Sequence, residues 1–199
     1  MGLPAAIQQL LTAVSNVFVQ AYINNFGEDV MAGWSAYRNI DMFMLLPMMS
    51  VSLAGTTFTG QNTGAGNLKR VKEGVRTTLT LAEMITVALL IFLFIFASNL
   101  VHLFSKDQAV ISQGTMLLRL LSPFYVACVV NQIFAGILRG AGDAKAPMFI
   151  MLASFVLFRQ LYLAIVSRLS SSLIPIALGY FSTFSFLGPT SSNIPYCFN

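Results

Sequence analysis

Gly64-Ala65-Gly66-Asn67, with Lys69 and Arg70 after it, and Gly140-Ala141-Gly142-Asp143, with Arg139 before it and Lys145 after it, are the stretches that decide the fold of this chain. Each ends a long segment almost free of charge. Glycine just past an apolar run, with cations close by, is the signature of a closing helix end. Two such ends on one side of a bilayer, with one hydrophobic round trip between them, account for the recurrence. The surrounding segments are therefore expected to be helices that cross a membrane.

Composition supports this. The 199 residues are 56% hydrophobic and 9% charged, with mean hydropathy +0.76. Soluble domains carry about 25% charged residues, and a soluble chain of this length has no interior large enough for so much apolar surface. The net charge of +4 is not a nucleic-acid signal, because the cations sit singly or in small groups at segment ends. Cys128 and Cys197 suggest neither a disulfide frame nor a metal site. Met1-Gly2-Leu3-Pro4 lacks a basic signal-peptide region, and Ala6 stands where myristoylation wants Ser or Thr.

A transmembrane helix needs roughly 20 mainly apolar residues. The chain offers such spans at about 4–26, 30–61, 78–102, 110–138 and 146–166, and a poorer one at 171–190. Strands are not expected, since the segments are long and lack alternation with period two. The expected fold class is thus an all-α membrane protein with five to six transmembrane helices. Cations set an expected orientation. The turns after spans two and four hold Lys69, Arg70, Lys72, Arg76, Arg139 and Lys145, against Lys106 and Arg168 on the opposite side. The positive-inside rule places the glycine phrases and the N-terminus in the cytoplasm.

Polar groups within spans are costly and often functional. Gln9, Asn16, Gln20 and Asn24 fall within about 80° of one another on the first helix. They read either as one wall of a water-filled cavity or as interhelical hydrogen bonding. Arg38 and Asp41 share a face of span two, with Asp41 about 18 Å from Asp29 along the axis. This pair reads either as a proton-titrating carboxylate or as a static ion pair near the outer surface with Trp34 as an interfacial anchor. Pro47 is expected to bend the helix. In span four, Tyr125 and Gln132 face the same way, and Arg119 reads as a snorkelling cation. Gly136 and Gly140 form a small-xxx-small pair suited to close packing. Glu83 reads as interfacial, and Arg159 lies deep enough to need a partner or a cavity. No nucleophile–base constellation, metal cluster or phosphate loop is visible, so neither an enzyme nor an ATP-driven pump is expected; no cofactor is called for.

Several stretches carry a resemblance to a known family. These are Gly2-Leu3-Pro4-Ala5-Ala6-Ile7-Gln8, then Thr56-Thr57-Phe58-Thr59-Gly60-Gln61-Asn62-Thr63-Gly64-Ala65-Gly66-Asn67 with Arg70, then Gly136-Ile137-Leu138-Arg139-Gly140-Ala141-Gly142-Asp143 with Pro147, and Phe158-Arg159-Gln160-Leu161-Tyr162-Leu163. Together they resemble the second, C-terminal six-helix lobe of the multidrug and toxic compound extrusion (MATE) transporters, over about residues 1–180. The resemblance implies a protein of twelve helices in two lobes that exports cationic or amphipathic compounds against inward proton or sodium flow, by alternating access around a cavity between the lobes. It implies residence in the cell's inner (plasma) membrane, and a missing N-terminal lobe or a second copy as partner. The polar residues within the spans, Gln9, Asn16, Gln20, Asn24, Arg38, Asp41, Tyr125, Gln132 and Arg159, are the candidates for that cavity. The cytoplasmic loop motifs are Gly60, Gln61, Asn62, Gly64, Gly66, Arg70, Arg139, Gly140, Gly142 and Asp143.

The chain departs from the family in two ways. Acids found in some sodium-coupled members, in the helices matching spans one and four, are absent, and Cys128 stands about where one would fall. The coupling carboxylate is then expected in the first lobe. Residues 181–199 lack the apolar run that ends the family's last helix and read as a truncated, frameshifted or diverged end. Taken alone, the lobe is expected not to transport. Two other readings stand beside this one. A lipid-linked saccharide flippase of the related superfamily would use Arg38, Arg119 and Arg159 around one cavity. In a non-transporting fragment, polar residues would only join helices.

Overall fold

A computed structural model of the chain describes residues 2–152 and 159–169. Among them every element is helical. They comprise α1 (Gly2–Ile23), a 3-10 turn (Asn24–Phe26), α2 (Glu28–Gly64), α3 (Leu68–His102), α4 (Gln108–Leu121), a second 3-10 turn (Ser122–Phe124), α5 (Tyr125–Gly140), α6 (Lys145–Leu152) and α7 (Arg159–Leu169). The sixth expected span and the atypical end at 181–199 lie outside the described residues. Among the described residues three helical segments are long and apolar enough to cross a membrane: Glu28–Gly64, Leu68–His102 and Gln108–Gly140. α1 has 22 residues, none of them charged, and is about 33 Å long at 1.5 Å per residue.

α2 is the central helix and packs on α3, α4 and α5. Along α4 and α5 it runs parallel, start to start and end to end. Gly33 lies against Val110, Gln113 and Gly114 near the beginning, and Gly60 against the Gly140 carbonyl near the end. α3 returns antiparallel between them, with Thr78 beside Gly55 and Val101 beside Gly114. Small residues set these approaches. A methyl group on Gly136 would stand 2.5 Å from Ser52 Oγ and 2.8 Å from Thr56 Oγ1, and Gly140 rests on the backbone of Thr56. The small-xxx-small pair is therefore a packing seam, as expected, between α5 and α2.

The two glycine phrases close their helices in the same way. Asn67 N–H donates to the Asn62 carbonyl at 2.9 Å and Gly66 N–H to that of Thr63 at 3.0 Å. Asp143 N–H donates to Leu138 at 3.0 Å and Gly142 N–H to Arg139 at 3.2 Å. This is the Schellman pattern, which needs a left-handed residue, and Gly66 and Gly142 supply it at φ +70° and +98°. The residue after each glycine then caps the next helix. Asn67 Oδ1 accepts from Arg70 N–H at 3.2 Å, and Asp143 Oδ1 from Lys145 N–H at 3.1 Å. Each phrase thus stops one helix and starts another, which explains why Asn or Asp follows the second glycine.

Three expectations are corrected. α3 begins at Leu68 rather than near 78, because Asn67 caps it; Lys69, Arg70, Lys72 and Arg76 lie on its exposed first turns, not in a loop. Span four stands as the segment Gln108–Gly140, but it is not α-helical throughout: Pro123 removes a backbone donor and the 3-10 turn Ser122–Phe124 interrupts it. Trp34 is no interfacial anchor: it is 1% exposed and stacks on Tyr37 with ring centroids 5.1 Å apart. The large apolar residues left outside, among them Met42, Phe43, Leu53, Ile91 and Ile95, form the outward face that a bilayer would solvate.

Candidate functional site: two polar centres on the central helix

The first centre is a cleft of 380 Å³ between α1 and α2, lined by Asn16, Val17, Gln20, Ser35, Arg38 and Asn39. Ser35, Arg38 and Asn39 recur at helical spacing on one face of α2 and meet the polar stripe of α1. Gln20 Nε2 donates to Asn24 Oδ1 at 2.9 Å, fixing the amide at the cleft's edge. Behind the cleft, Arg159 of α7 is fully buried and its Nη2 donates to Asn16 Oδ1 at 3.1 Å. The expectation that Arg159 needs a partner is met by a residue 143 positions away. Gln9 belongs to the exposed surface of α1 and does not line this cleft.

The second centre lies in the core. Asp41 is 4% exposed, and Tyr125, the first residue of α5, donates its hydroxyl hydrogen bond to Asp41 Oδ1. Tyr37, one turn before Asp41, and the Arg38 guanidinium both act on the carboxylate electrostatically. Burying a carboxylate is costly unless a donor or a cation meets it, and here Tyr125 of α5 donates to it and Arg38 of α2 attracts it. Asp41 also acts electrostatically on the buried Cys128 thiol. Arg38 is common to both centres: it lines the cleft and faces the carboxylate. Asp41 is thus buried rather than at an outer surface, with Tyr125 as its hydrogen-bond donor and Arg38 attracting it.

Other sequence candidates fall elsewhere. Gln132 contributes its backbone carbonyl, which accepts from Ser52 Oγ at 2.9 Å as part of the α2–α5 seam. Arg119 lines a separate cleft between α3 and α4, so the three arginines do not surround one cavity. Among the loop motifs, Asn62 Nδ2 donates to the Phe58 carbonyl at 2.8 Å. The Gln61 carbonyl accepts from Ala65 N–H at 3.1 Å, and Arg139 Nε donates to Ala135 at 3.0 Å. Gly64 is exposed with open space around it. These groups build the two helix ends. Ser35, Tyr37 and Asn39 were not singled out in the sequence. The i, i+3, i+4 spacing of Ser35, Arg38 and Asn39 is the signal that could have found the two lining residues.

This arrangement has known counterparts. The chain is 27% identical over 167 residues to the probable multidrug resistance protein YpnP of Bacillus subtilis, covering 84% of this chain and 38% of that protein. It is 30% identical over 155 residues to the probable multidrug resistance protein NorM of Neisseria meningitidis, covering 78% and 34%. It therefore spans just over a third of the length of these curated relatives. Two solved structures share the fold. One is an outward-facing multidrug resistance MATE transporter of the MOP superfamily, with TM-score 0.88 at 18% identity over 98% of this chain and 46% of that one. The other is a MOP superfamily transporter of Pyrococcus furiosus, described for the reversed polarity of its binding pocket, with TM-score 0.87 at 18% identity over 98% and 44%. The MatE family model matches residues 4–166, which take in both glycine-closed helix ends and both polar centres, and the chain belongs to that family.

Proposed function

We propose that this chain is one lobe of a cation-coupled exporter of small amphipathic compounds, with the α1–α2 cleft as its contribution to the substrate cavity and Asp41 as its coupling carboxylate. The observation that carries this reading is the Asp41–Tyr125 contact between α2 and α5. A buried acid held by a tyrosine hydroxyl is a group whose state changes with a proton or sodium ion, and Arg38 links it to the cleft wall. Asp41 also acts on Cys128, where the family resemblance expects an acid in span four. The carboxylate is delivered from the neighbouring helix instead, so the first lobe need not be its only source.

Alternating access then follows from two arrangements of the lobes whose balance cation binding shifts. The cations on the first turns of α3 and at the end of α5 support a cytoplasmic location for the glycine-closed ends and for the N-terminus, in the cell's inner membrane. A lobe spanning about a third of its relatives supplies only part of the cavity wall. Vesicles containing this chain alone are expected not to expel a fluorescent organic cation under an imposed proton or sodium gradient. The full-length product carrying this lobe is expected to do so, and Asp41→Asn to cut the coupled flux at least tenfold. Unchanged flux in that variant would overturn the role given to Asp41.

Arg38 favours a second reading. It lines the cleft, and Arg159 stands behind it through Asn16, so the fixed charge there is positive. Such a wall suits an anionic amphipath, a lipid-linked pyrophosphate among them. Faster export of anionic than cationic dyes by the full-length product, reversed in Arg38→Gln, would select it.

A further inference from the structure

We propose that the cleft between α3 and α4 is a binding site for the phosphate of an anionic phospholipid, with Arg119 as its principal cation. The cleft has a volume of 410 Å³ and is lined by Ser98 of α3 and by Gln108, Ile111, Ser112, Thr115, Met116 and Arg119 of α4. Gln108, Ser112, Thr115 and Arg119 fall at helical spacing on one side of α4, so they form a continuous polar track. Such a track on an exposed face of membrane-crossing helices is expensive in hydrocarbon. It is compatible with the bilayer if a polar group of the lipid itself occupies it.

Three features give the ligand its chemistry. First, every polar lining group can donate a hydrogen bond, one of them carries a positive charge, and no lining residue is acidic. That matches a phosphate diester, which only accepts. Second, the hydroxyl of Thr115, a lining residue, is buried and has no hydrogen-bond partner, so a donor at the cleft wall is left to be satisfied. Third, the site is amphipathic. The Arg119 guanidinium lies 5.9 Å from the centroid of the Phe94 ring, and the same stretch of α3 exposes Ile91, Phe92, Phe94 and Ile95 where acyl chains would lie.

The same contact bounds the depth. Arg119 is eleven residues beyond Gln108, about 16 Å along the axis, and its guanidinium lies level with Phe94, eight residues before the end of α3. A phosphate held there sits below the interface, with Gln108, Ser112 and Thr115 along the track that leads to it. A soluble phosphate shares the head-group chemistry but gains nothing from the exposed aromatic and aliphatic face.

The test uses the purified 199-residue chain in detergent, titrated with phosphatidylglycerol, phosphatidylcholine or inorganic phosphate and read by native mass spectrometry. Phosphatidylglycerol is expected to be retained in preference to phosphatidylcholine, and inorganic phosphate not at all. Arg119→Gln is expected to weaken phosphatidylglycerol binding about tenfold, Thr115→Val several-fold, and Arg119→Lys less than Arg119→Gln, since lysine keeps the charge but not the bidentate fork. Thr115→Val changes no charge and serves if Arg119→Gln unfolds. Equal retention of the two lipids, unaltered phosphatidylglycerol binding in Arg119→Gln and Thr115→Val, or retention of inorganic phosphate alone would each overturn the proposal. None of these readouts depends on transport, so the site stands or falls apart from the coupling role of Asp41.

Discussion

Tyr125 donates its hydroxyl hydrogen bond to Asp41 across 84 positions of sequence, and it does so from the first residue of α5, directly after the turn that Pro123 imposes. The break in span four and the placement of the tyrosine are one feature, because the helix restarts where its side chain meets the carboxylate. Tyr125→Phe removes the donor and leaves the buried acceptor. It is expected to lower stability by about 1–2 kcal/mol, seen as a lower thermal midpoint in detergent. Asp41→Asn keeps an acceptor for Tyr125, so it is expected to cost less stability than Tyr125→Phe while affecting coupled flux more. The reverse order would make Asp41 a purely structural group.

The α2–α5 seam predicts a graded response. Alanine at Gly136 meets Ser52 Oγ and Thr56 Oγ1, which can turn aside, and also the Ser52 carbonyl at 3.0 Å. Alanine at Gly140 meets the Thr56 backbone, which has no rotamer to change. Overpacking of this kind costs about 1–3 kcal/mol. Gly140→Ala is expected at the upper end and Gly136→Ala at the lower, with Ser52→Ala restoring part of the Gly136→Ala loss. Equal thermal shifts without rescue would rule out the seam as the cause.

Gly66 tests a different property. An added Cβ would meet nothing within 4 Å, but its φ is +70°. Gly66→Ala is therefore expected to cost about 1 kcal/mol through backbone strain alone. Gly66→Asn is expected to cost less, because asparagine tolerates the left-handed region. Hydrogen exchange at the Asn67 and Gly66 amides, which close the helix, should rise in the alanine variant first. Identical exchange in the two variants would contradict this.

The Arg159–Asn16 contact joins α7 to α1. A double-mutant cycle of Arg159→Met and Asn16→Leu is expected to give a coupling of about 1–2 kcal/mol. Additive losses would mean that the two side chains are neighbours without a shared bond.

Much of the architecture was legible in the sequence because it depends on local chemistry. Long uncharged runs specify helices in a bilayer, where every backbone polar group must be satisfied within its own segment. Glycine at 66 and 142 specifies the helix ends through its backbone freedom, and Gly136 and Gly140 mark a close approach by lacking a side chain. The start of α3 and the break at Pro123 were also written locally, in a capping asparagine and a missing backbone donor, though the charges at 69–76 masked the first and the apolar run masked the second. Helical spacing shows which residues share a face, but not which neighbouring helix that face meets. Tertiary structure alone decided that Asn16 and Gln20 share a cleft with Arg38 while Gln9 does not. It alone buried Trp34 against Tyr37, brought Tyr125 rather than only Arg38 to Asp41, and sent Arg119 to a different side of the bundle. Each of these outcomes depends on the rotation of one helix against another, set by packing between residues far apart in the chain.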